Sequence, residues 1–254
     1  MRGRNAMHEL PGLTDLNRAT IDHDGSYRPI SDMAYRRVPH TVGNITVVFA
    51  DHARLLCDEI GKSQVVIGCV AWLTNNDVLN ALQGREVGII VQKEDWLRPD
   101  SADWSRQKQR YQYVLLTGIK DKFAFGGGYN YCGAPDMDAI MCCGILGTQQ
   151  QMAARMHHKF LVFGHYVTTE ELVPGGNEYG EPDTIEMTTF HPQAVWTGSF
   201  NITHNATQSL ENALLIRDPA IAALYTIEWL TVLGLSEPLD WNATWVATNM
   251  RVGS

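Results

Sequence analysis

The sequence predicts an α/β fold with a mixed, mostly parallel sheet flanked by helices on both faces. The first observation is a pair of near-continuous apolar runs of strand length, Gln64–Trp72 and Val87–Val91. Such runs are typical of strands that are covered on both faces. The second is that helix-like segments alternate with strand-like ones, and a β-α-β-α-β order is typical of parallel sheets.

The elements of this alternation begin after residue 44. Ile45–Ala50 is rich in β-branched residues and predicts a strand, and Asp51–Ile60 predicts a helix that ends at Gly61. Capping residues at 74–77 predict the start of the next helix. Its apolar stripe consists of Val78, Leu79 and Leu82.

Four later segments complete the prediction. Ser101–Thr117 is an amphipathic helix, Phe125–Tyr129 is a glycine-rich turn rather than a phosphate-binding loop, and Asp138–Leu146 is a strand. Asp218–Leu233 opens with Asp and then Pro, which favours a helix start. The predicted apolar side of this helix consists of Leu224, Ile227 and Leu230.

The predicted domain organisation has three parts. Residues 1–41 form an N-terminal arm, 42–235 a catalytic domain, and 236–254 a C-terminal tail. Within the domain, residues 164–192 are acidic and contain no lysine or arginine. This insertion predicts a hairpin or loop, with a solvated surface loop favoured over a lid above the site.

Composition predicts a cytoplasmic protein without membrane insertion. The 254 residues include five cysteines, an odd number without the spacing of a disulfide framework. The longest apolar run, Val65–Leu73, is too short to cross a bilayer, and the first residues lack the apolar core of a secretory signal.

The net charge of −8 is distributed unevenly along the chain. Residues 1–159 carry 18 basic and 17 acidic groups, whereas 160–254 carry 2 and 11. A polyanion-binding protein usually shows a basic face. Contacts with a polyanionic substrate are therefore expected from the first part of the chain.

The residues with the clearest chemical meaning lie between 156 and 217. His157 and Lys159 are two apart on a predicted strand, so their side chains share a face. Ser199 and Asn201 are related in the same way on a second predicted strand, where Gly198 allows a close approach. Histidine, lysine, serine and asparagine at one end of a sheet suit a tetrahedral oxyanion.

These residues resemble a known family pattern. His157-x-Lys159 and Gly198-Ser199-Phe200-Asn201 resemble the HxK…GSxN motif of the phospholipase D superfamily. The longer run TGSFNITHNATQSLENALLI is similar to the bacterial endonucleases of that family, which carry one motif copy per chain. The resemblance covers roughly residues 42–233 and implies the fold of that family.

The resemblance implies a reaction without a metal or other cofactor. One histidine attacks phosphorus and forms a covalent phosphohistidine, and a second histidine protonates the leaving oxygen. It implies that His157 acts as nucleophile or acid, and that Lys159 and Asn201 bind the nonbridging oxygens. It also implies that Ser199 supports the phosphate site and that Glu211 holds a histidine. Because the chain has one motif, the resemblance implies a homodimer that shares its active site.

One position departs from the family pattern. The family places an aspartate five residues after the lysine, where this chain has Gly164. In the family this aspartate is more structural than chemical, so its loss removes no reactive group.

Two further features allow competing interpretations. Arg106, Lys108 and Arg110 project between aromatic residues, as in a nucleic-acid-binding face, but an ordinary helix with a solvated basic side is the favoured interpretation. Four histidines near the motif could suggest zinc, but neither HExxH nor paired CxxC spacing accompanies them, so no metal site is predicted. They are His158, His165, His191 and His204.

The leading hypothesis is a nuclease that cleaves DNA or RNA. The first alternative is a phospholipid phosphodiesterase, which the absence of a basic amphipathic segment disfavours. The second is an inactive binding or assembly module that keeps the fold.

Overall fold

A computed structural model describes residues 19–21, 24, 27–29, 37–94, 97, 106–107, 109–111, 114–120, 137–144, 155–173, 179 and 182–239. Two short strands, β1 (Ala19–Ile21) and β2 (Tyr27–Pro29), form a separate antiparallel ribbon. The main sheet has ten strands. They are β3 (His40–Val42), β4 (Ile45–Val48), β5 (Val65–Val70), β6 (Glu86–Gln92), β7 (Thr117–Gly118), β8 (Ile140–Cys143), β9 (Lys159–Val173), β10 (Asp183–Gly198), β11 (Ala213–Ile216) and β12 (Glu237–Pro238).

The strands run β12-β8-β6-β5-β9-β10-β11-β4-β3 across the sheet, and β7 pairs with β6. The predicted α/β fold with a mixed sheet is confirmed. The expectation that it is mostly parallel is wrong, because among the strands of the described residues only the β5–β6, β6–β7 and β6–β8 pairs are parallel. β9, β10 and β11 follow one another as neighbours in the sheet without an α-helical crossover, so the β9–β10 and β10–β11 pairs are antiparallel.

Helices cover both faces of the sheet, as predicted. α1 (His52–Ile60) and α2 (Asn76–Ala81) pack on one face, and α3 (Pro219–Leu233) packs on the other. The expected caps are present in two of them: the side chain of Asn75 accepts hydrogen bonds at the start of α2, and that of Asp218 does so at the start of α3.

The buried side of α3 differs from the predicted one. Leu224 and Ile227 are 66% and 61% exposed. The residues buried against the sheet are Ala222, Thr226, Trp229 and Val232. α3 is apolar on nearly all sides, so its sequence gives no periodicity that selects a face, and the fit of Trp229 under the sheet decides instead.

Two predicted segments are only partly described. Residues 106–107 and 109–111 are helical, but Thr117 belongs to β7, so the helix ends earlier than predicted. The glycine-rich turn at Phe125–Tyr129 lies outside the described residues.

The acidic segment forms a hairpin that continues β9 and β10 beyond the sheet. β9 pairs with β5 only as far as Gly164, and β10 pairs with β11 only from Val195. Beyond those points residues 165–173 and 183–191 pair with each other. At about 3.3 Å per residue the far end of β9 lies some 45 Å along the strand from Lys159, so this hairpin is not a lid over its own chain's motif.

None of the helices in the described ranges is long and apolar enough to cross a membrane.

Candidate active site

The two motif segments meet at one end of two central strands because β9 and β10 form a hairpin. Lys159, the first residue of β9, is paired with Val70 at the carboxyl end of β5. Gly198, the last residue of β10, is paired with Ala213, the first of β11. The start of one hairpin strand and the end of the other therefore bring the HxK and GSxN segments side by side.

His157 and Lys159 are in direct contact, as their spacing predicts. The ammonium Nζ of Lys159 lies 3.2 Å from each ring nitrogen of His157 and 3.1 Å from its carbonyl oxygen. His158 faces the other way and contacts Glu228 of α3, with Nε2 and Oε1 3.0 Å apart. The alternation of neighbouring side chains thus separates the two adjacent histidines.

Ser199 and Asn201 follow β10 rather than lying on it, because the strand ends at Gly198. The expected close approach at Gly198 is present: a Cβ there would lie 2.2 Å from the carbonyl oxygen of Asn212. This contact lets the Ser199 amide donate to the Asn212 carbonyl at 3.0 Å, while the Asn212 amide donates to Ser199 Oγ at 3.1 Å. The loop is therefore fixed by a reciprocal pair of hydrogen bonds.

Glu211 connects this loop to the lysine. Its Oε2 accepts a hydrogen bond from Ser199 Oγ. Burial lowers the pKa of Lys159, and the nearby charge of Glu211 opposes that shift. Within the described residues the carboxylate bonds to Ser199 and not to a histidine.

The electrostatics favour an uncharged imidazole at His157. Its pKa is lowered first by burial and then by the positive charges of Lys159 and Arg155 and by His158. A neutral imidazole keeps a lone pair on nitrogen, which a nucleophile or a general base requires.

Asn201 lies in a loop that is tied to the segment after β5. Its Oδ1 is buried and has no hydrogen-bond partner among the described residues. The next residue, Ile202, accepts hydrogen bonds through its carbonyl oxygen from the amides of Thr74 and Asn75, at 2.8 and 3.0 Å. An unpaired buried amide oxygen is costly, so Asn201 is a position where a ligand or a second chain would contribute.

The predicted basic helix reaches the same edge through its contact with the segment after β5. Arg110 Nη1 donates to the carbonyl oxygen of Thr74 at 3.4 Å and to Gln107 Oε1 at 3.0 Å. Arg106 is exposed on the same helical segment, and Lys108 lies outside the described residues. Arg110 thus contacts the segment whose amides bond to the carbonyl oxygen of Ile202, next to Asn201.

Three residues near His157 were not identified from the sequence. The Trp72 ring lies 6.1 Å from the His157 ring, edge to face, and its Nε1 donates to Glu94 Oε1 at 3.1 Å. Arg155 Nη1 lies 3.6 Å from the same carboxylate oxygen. Trp72 and Glu94 lie in separate segments, so no spacing in the sequence connects them with His157. Arg155 lies two residues before His157, so the alternation that relates His157 to Lys159 could have identified it.

His52, at the start of α1, was also missed. Its ring is 2% exposed and stacks on Phe200 with the ring centroids 4.8 Å apart. Burial, with Arg37 adding to it, lowers its pKa to about 4. This histidine is therefore a neutral packing partner directly beneath the GSxN loop.

Two of the other histidines near the motif contact each other. His165 and His191 face each other across the hairpin, and their rings stack 6.4 Å apart. In the part of the chain that the structure describes, no three His, Cys, Asp or Glu side chains are grouped as metal ligands would be.

Sequence comparison finds one relative of unknown activity. The chain is 29% identical over 218 residues to the uncharacterized protein L381 of Acanthamoeba polyphaga mimivirus, covering 79% of this chain and 69% of that protein. No protein-family model matches the chain.

Structure comparison gives matches of low sequence identity. NucT from Helicobacter pylori matches with a TM-score of 0.46 and 13% identity, covering 76% of this chain and 98% of NucT. Nuc from Salmonella typhimurium, a phospholipase D family member, matches with a TM-score of 0.42 and 15% identity, covering 78% and 98%. Phosphatidylserine synthase from Haemophilus influenzae matches with a TM-score of 0.37 and 12% identity, covering 93% and 48%.

The resemblance to the phospholipase D superfamily therefore rests on the HxK and GSxN segments. It also rests on their position side by side, at the start of β9 and the end of β10.

Proposed function

We propose that the chain is a metal-independent phosphodiesterase, a nuclease that cleaves DNA or RNA through a covalent phosphohistidine in a homodimeric active site. The observation that carries the proposal is the contact between the His157 ring and the Lys159 ammonium, next to the Ser199–Glu211 pair. An imidazole beside a cation and a set of hydrogen-bond donors suits attack on a phosphodiester.

In the first step a ring nitrogen of His157 attacks phosphorus. The new N–P bond forms as the bond to the leaving oxygen breaks, and that oxygen takes a proton from a second histidine. The lowered pKa of His157 supports its role as the uncharged attacking group.

In the second step a water molecule attacks the phosphohistidine. The second histidine, now neutral, accepts a proton from the water, and the new O–P bond forms as the N–P bond breaks. The products are a phosphomonoester and the regenerated neutral His157.

Four residues support the phosphate site rather than react. They are Lys159, Asn201, Ser199 and Glu211. The ammonium of Lys159 offsets charge on the nonbridging oxygens, and the amide of Asn201 donates to one of them. Glu211 orients Ser199 through their hydrogen bond and helps to keep Lys159 charged, because its carboxylate favours the ammonium form. In a dimer, Glu211 is also a candidate to hold a histidine of the second copy.

The second histidine is His157 of a second copy of this chain, as the resemblance implies. An exposed apolar surface beside the motif supports this dimer. An open cleft at His157 and Lys159 is bordered by Leu224 of α3, and Leu224 and Ile227 are both largely exposed. Two adjacent exposed apolar side chains next to an incomplete site favour burial between identical chains.

Nucleic acid is the proposed substrate because of the cations near the motif. Arg110 contacts the Thr74 segment, which is hydrogen-bonded to the loop of Asn201, and Arg155 lies close enough to His157 to affect its pKa. Arg106 is exposed on the same helical segment as Arg110. Lys108, which the sequence places with Arg106 and Arg110, is proposed to bind the same substrate. Several cations around one reacting phosphate suit a ligand that has neighbouring phosphates. A cytoplasmic location is also part of the proposal and rests on the sequence.

The decisive experiment incubates the purified protein, in EDTA, with single-stranded DNA, duplex DNA, RNA and phospholipid vesicles. Cleavage of nucleic acid that survives the chelator is expected. Loss of all activity in EDTA would overturn the metal-free chemistry. Release of a headgroup from vesicles without nucleic-acid cleavage would favour the lipid hydrolase, and binding without any turnover would favour the inactive module.

A matched pair of variants tests the nucleophile. His157→Ala should abolish cleavage. It should also abolish the acid-labile phosphohistidine intermediate that is trapped when the parent reaction is stopped by denaturation. His165→Ala, which removes an exposed histidine of β9 eight residues further along the chain, should cleave as the parent does. Equal rates for both variants would contradict the role of His157.

A further inference from the structure

Trp72 lies in the proposed site but has no part in the proposed chemistry. It follows β5 directly, and the amide of the preceding residue, Ala71, donates to the carbonyl oxygen of His158 at 3.0 Å. This main-chain link places the indole beside His157, with the ring centroids 6.1 Å apart and the planes at 79°. The indole is partly exposed, so a ligand at His157 would meet it.

The indole is held in a fixed orientation. Its Nε1 donates to Glu94 Oε1 at 3.1 Å, and Arg155 Nη1 lies 3.6 Å from that same oxygen. Glu94 is mostly buried, with its side chain 16% exposed. The polar edge of the ring is thus already satisfied, and an aromatic surface oriented before binding loses little entropy when a ligand stacks on it.

Cations lie near this ring. Lys159 and Arg155 both contribute to the lowered pKa of His157, whose ring contacts the indole. Arg110 donates to the carbonyl oxygen of Thr74, two residues after Trp72. An aromatic ring with cations nearby suits a single strand, because bases stack on the ring while cations contact the neighbouring phosphates.

We propose that Trp72 is a stacking platform for the base next to the cleaved phosphate, and that the substrate is therefore single-stranded nucleic acid. The inference rests on the proposed phosphodiesterase function. In a duplex the faces of the bases are covered by their neighbours, so a base must leave the stack before it can reach the ring.

The test combines a change in the protein with a change in the substrate. Cleavage is measured for a short oligothymidylate and for an abasic strand with the same number of phosphates, by the parent, by Trp72→Leu and by Trp72→Phe. The parent should prefer the oligothymidylate by roughly 10-fold or more in kcat/KM, chiefly through KM. Trp72→Leu should lose this preference, with a loss of kcat/KM that is much larger on the oligothymidylate than on the abasic strand, and Trp72→Phe should keep most of it.

Two results would overturn the inference. One is a Trp72→Leu protein that loses activity equally on both strands, which would make Trp72 a structural residue. The other is a parent that cleaves the thymidylate strand as readily when it is annealed to its complement. Failure of the proposed function is distinguishable, because the parent would then cleave neither strand, or His157→Ala would cleave both.

Discussion

Gly164 packs against the main chain of His191 so closely that a Cβ on Gly164 would lie 2.4 Å from the His191 carbonyl oxygen. The same Cβ would lie 2.6 Å from a ring carbon of Phe190, which is buried. The position is also paired with Pro192, next to an irregularity in the β9–β10 register. The glycine that replaces the family aspartate is thus required by the way the hairpin leaves the sheet.

Gly164→Asp is therefore expected to destabilise the protein rather than to restore a family feature. The clash involves main chain, which cannot move aside as a flexible side chain does, so a loss of roughly 1–3 kcal/mol or more is expected. Urea denaturation measures it. Gly234→Ala is the control, because its Cβ would meet its nearest neighbour at an ordinary 3.5 Å. A Gly164→Asp protein as stable as the parent would contradict the packing argument.

Lys159→Met should reduce kcat/KM by roughly 100-fold or more, because it removes the charge that offsets the phosphate oxygens. It should also raise the pKa of His157, since Lys159 is one of the causes that lower it. An NMR titration of the imidazole measures this shift. Lys62→Met, which changes an exposed lysine paired with Glu59 at the far end of α1, should alter neither quantity. If the rate were lost but the pKa of His157 were unchanged, the charge of Lys159 would not act on the His157 imidazole.

His52 predicts a dependence of stability on pH. Its pKa is about 4 in the folded protein against the usual 6.5 of an exposed histidine, so between these pH values the unfolded chain binds a proton that the folded one does not. The unfolding free energy should therefore decrease as the pH falls from about 6.5 to about 4, by on the order of 3 kcal/mol, and be unaffected by this group at higher pH.

The measurement compares urea denaturation of the parent and of His52→Asn across this pH range. The variant has no group to titrate at this position, so its stability should decrease less steeply. Other titrating groups are common to both proteins and cancel in the difference. Parallel curves for the two proteins would mean that His52 is accessible to protons in the folded state.

The proposed dimer makes a prediction about α3. The double variant Leu224→Arg/Ile227→Arg should be monomeric by light scattering and inactive, because two buried charges without partners would prevent association. Leu172→Arg changes an equally exposed leucine on the hairpin and should leave the dimer intact. A monomeric parent that cleaves its substrate would exclude a shared active site.

Local patterns predicted much of the first half of the fold. The apolar runs gave β5 and β6, and the capping residues gave the starts of α2 and α3, because each depends on neighbours in sequence. The direction of the later strands could not be predicted in the same way. The acidic composition of residues 164–192 marked an insertion, but it did not show that the strands carrying the motif continue through it.

The candidate site was predictable only where one segment carried the pattern. His157 and Lys159 are close because they are two residues apart where β9 begins, and their contact follows from that spacing although His157 itself precedes the strand. Trp72, Glu94 and Arg155 meet because three chain segments end at the same edge, and His52 reaches Phe200 from the start of a helix. Such contacts depend on the order of strands in the sheet, which no local pattern records.

Because the HxK and GSxN segments lie at the open end of the β9–β10 hairpin, the distance between them along the chain is independent of their distance in space. Residues can be added to or removed from the connection between β9 and β10 without displacing His157 from Ser199, because the two strands keep their pairing register. The hairpin is thus a spacer of adjustable length, and a foreign peptide inserted between its two strands would leave the catalytic register preserved.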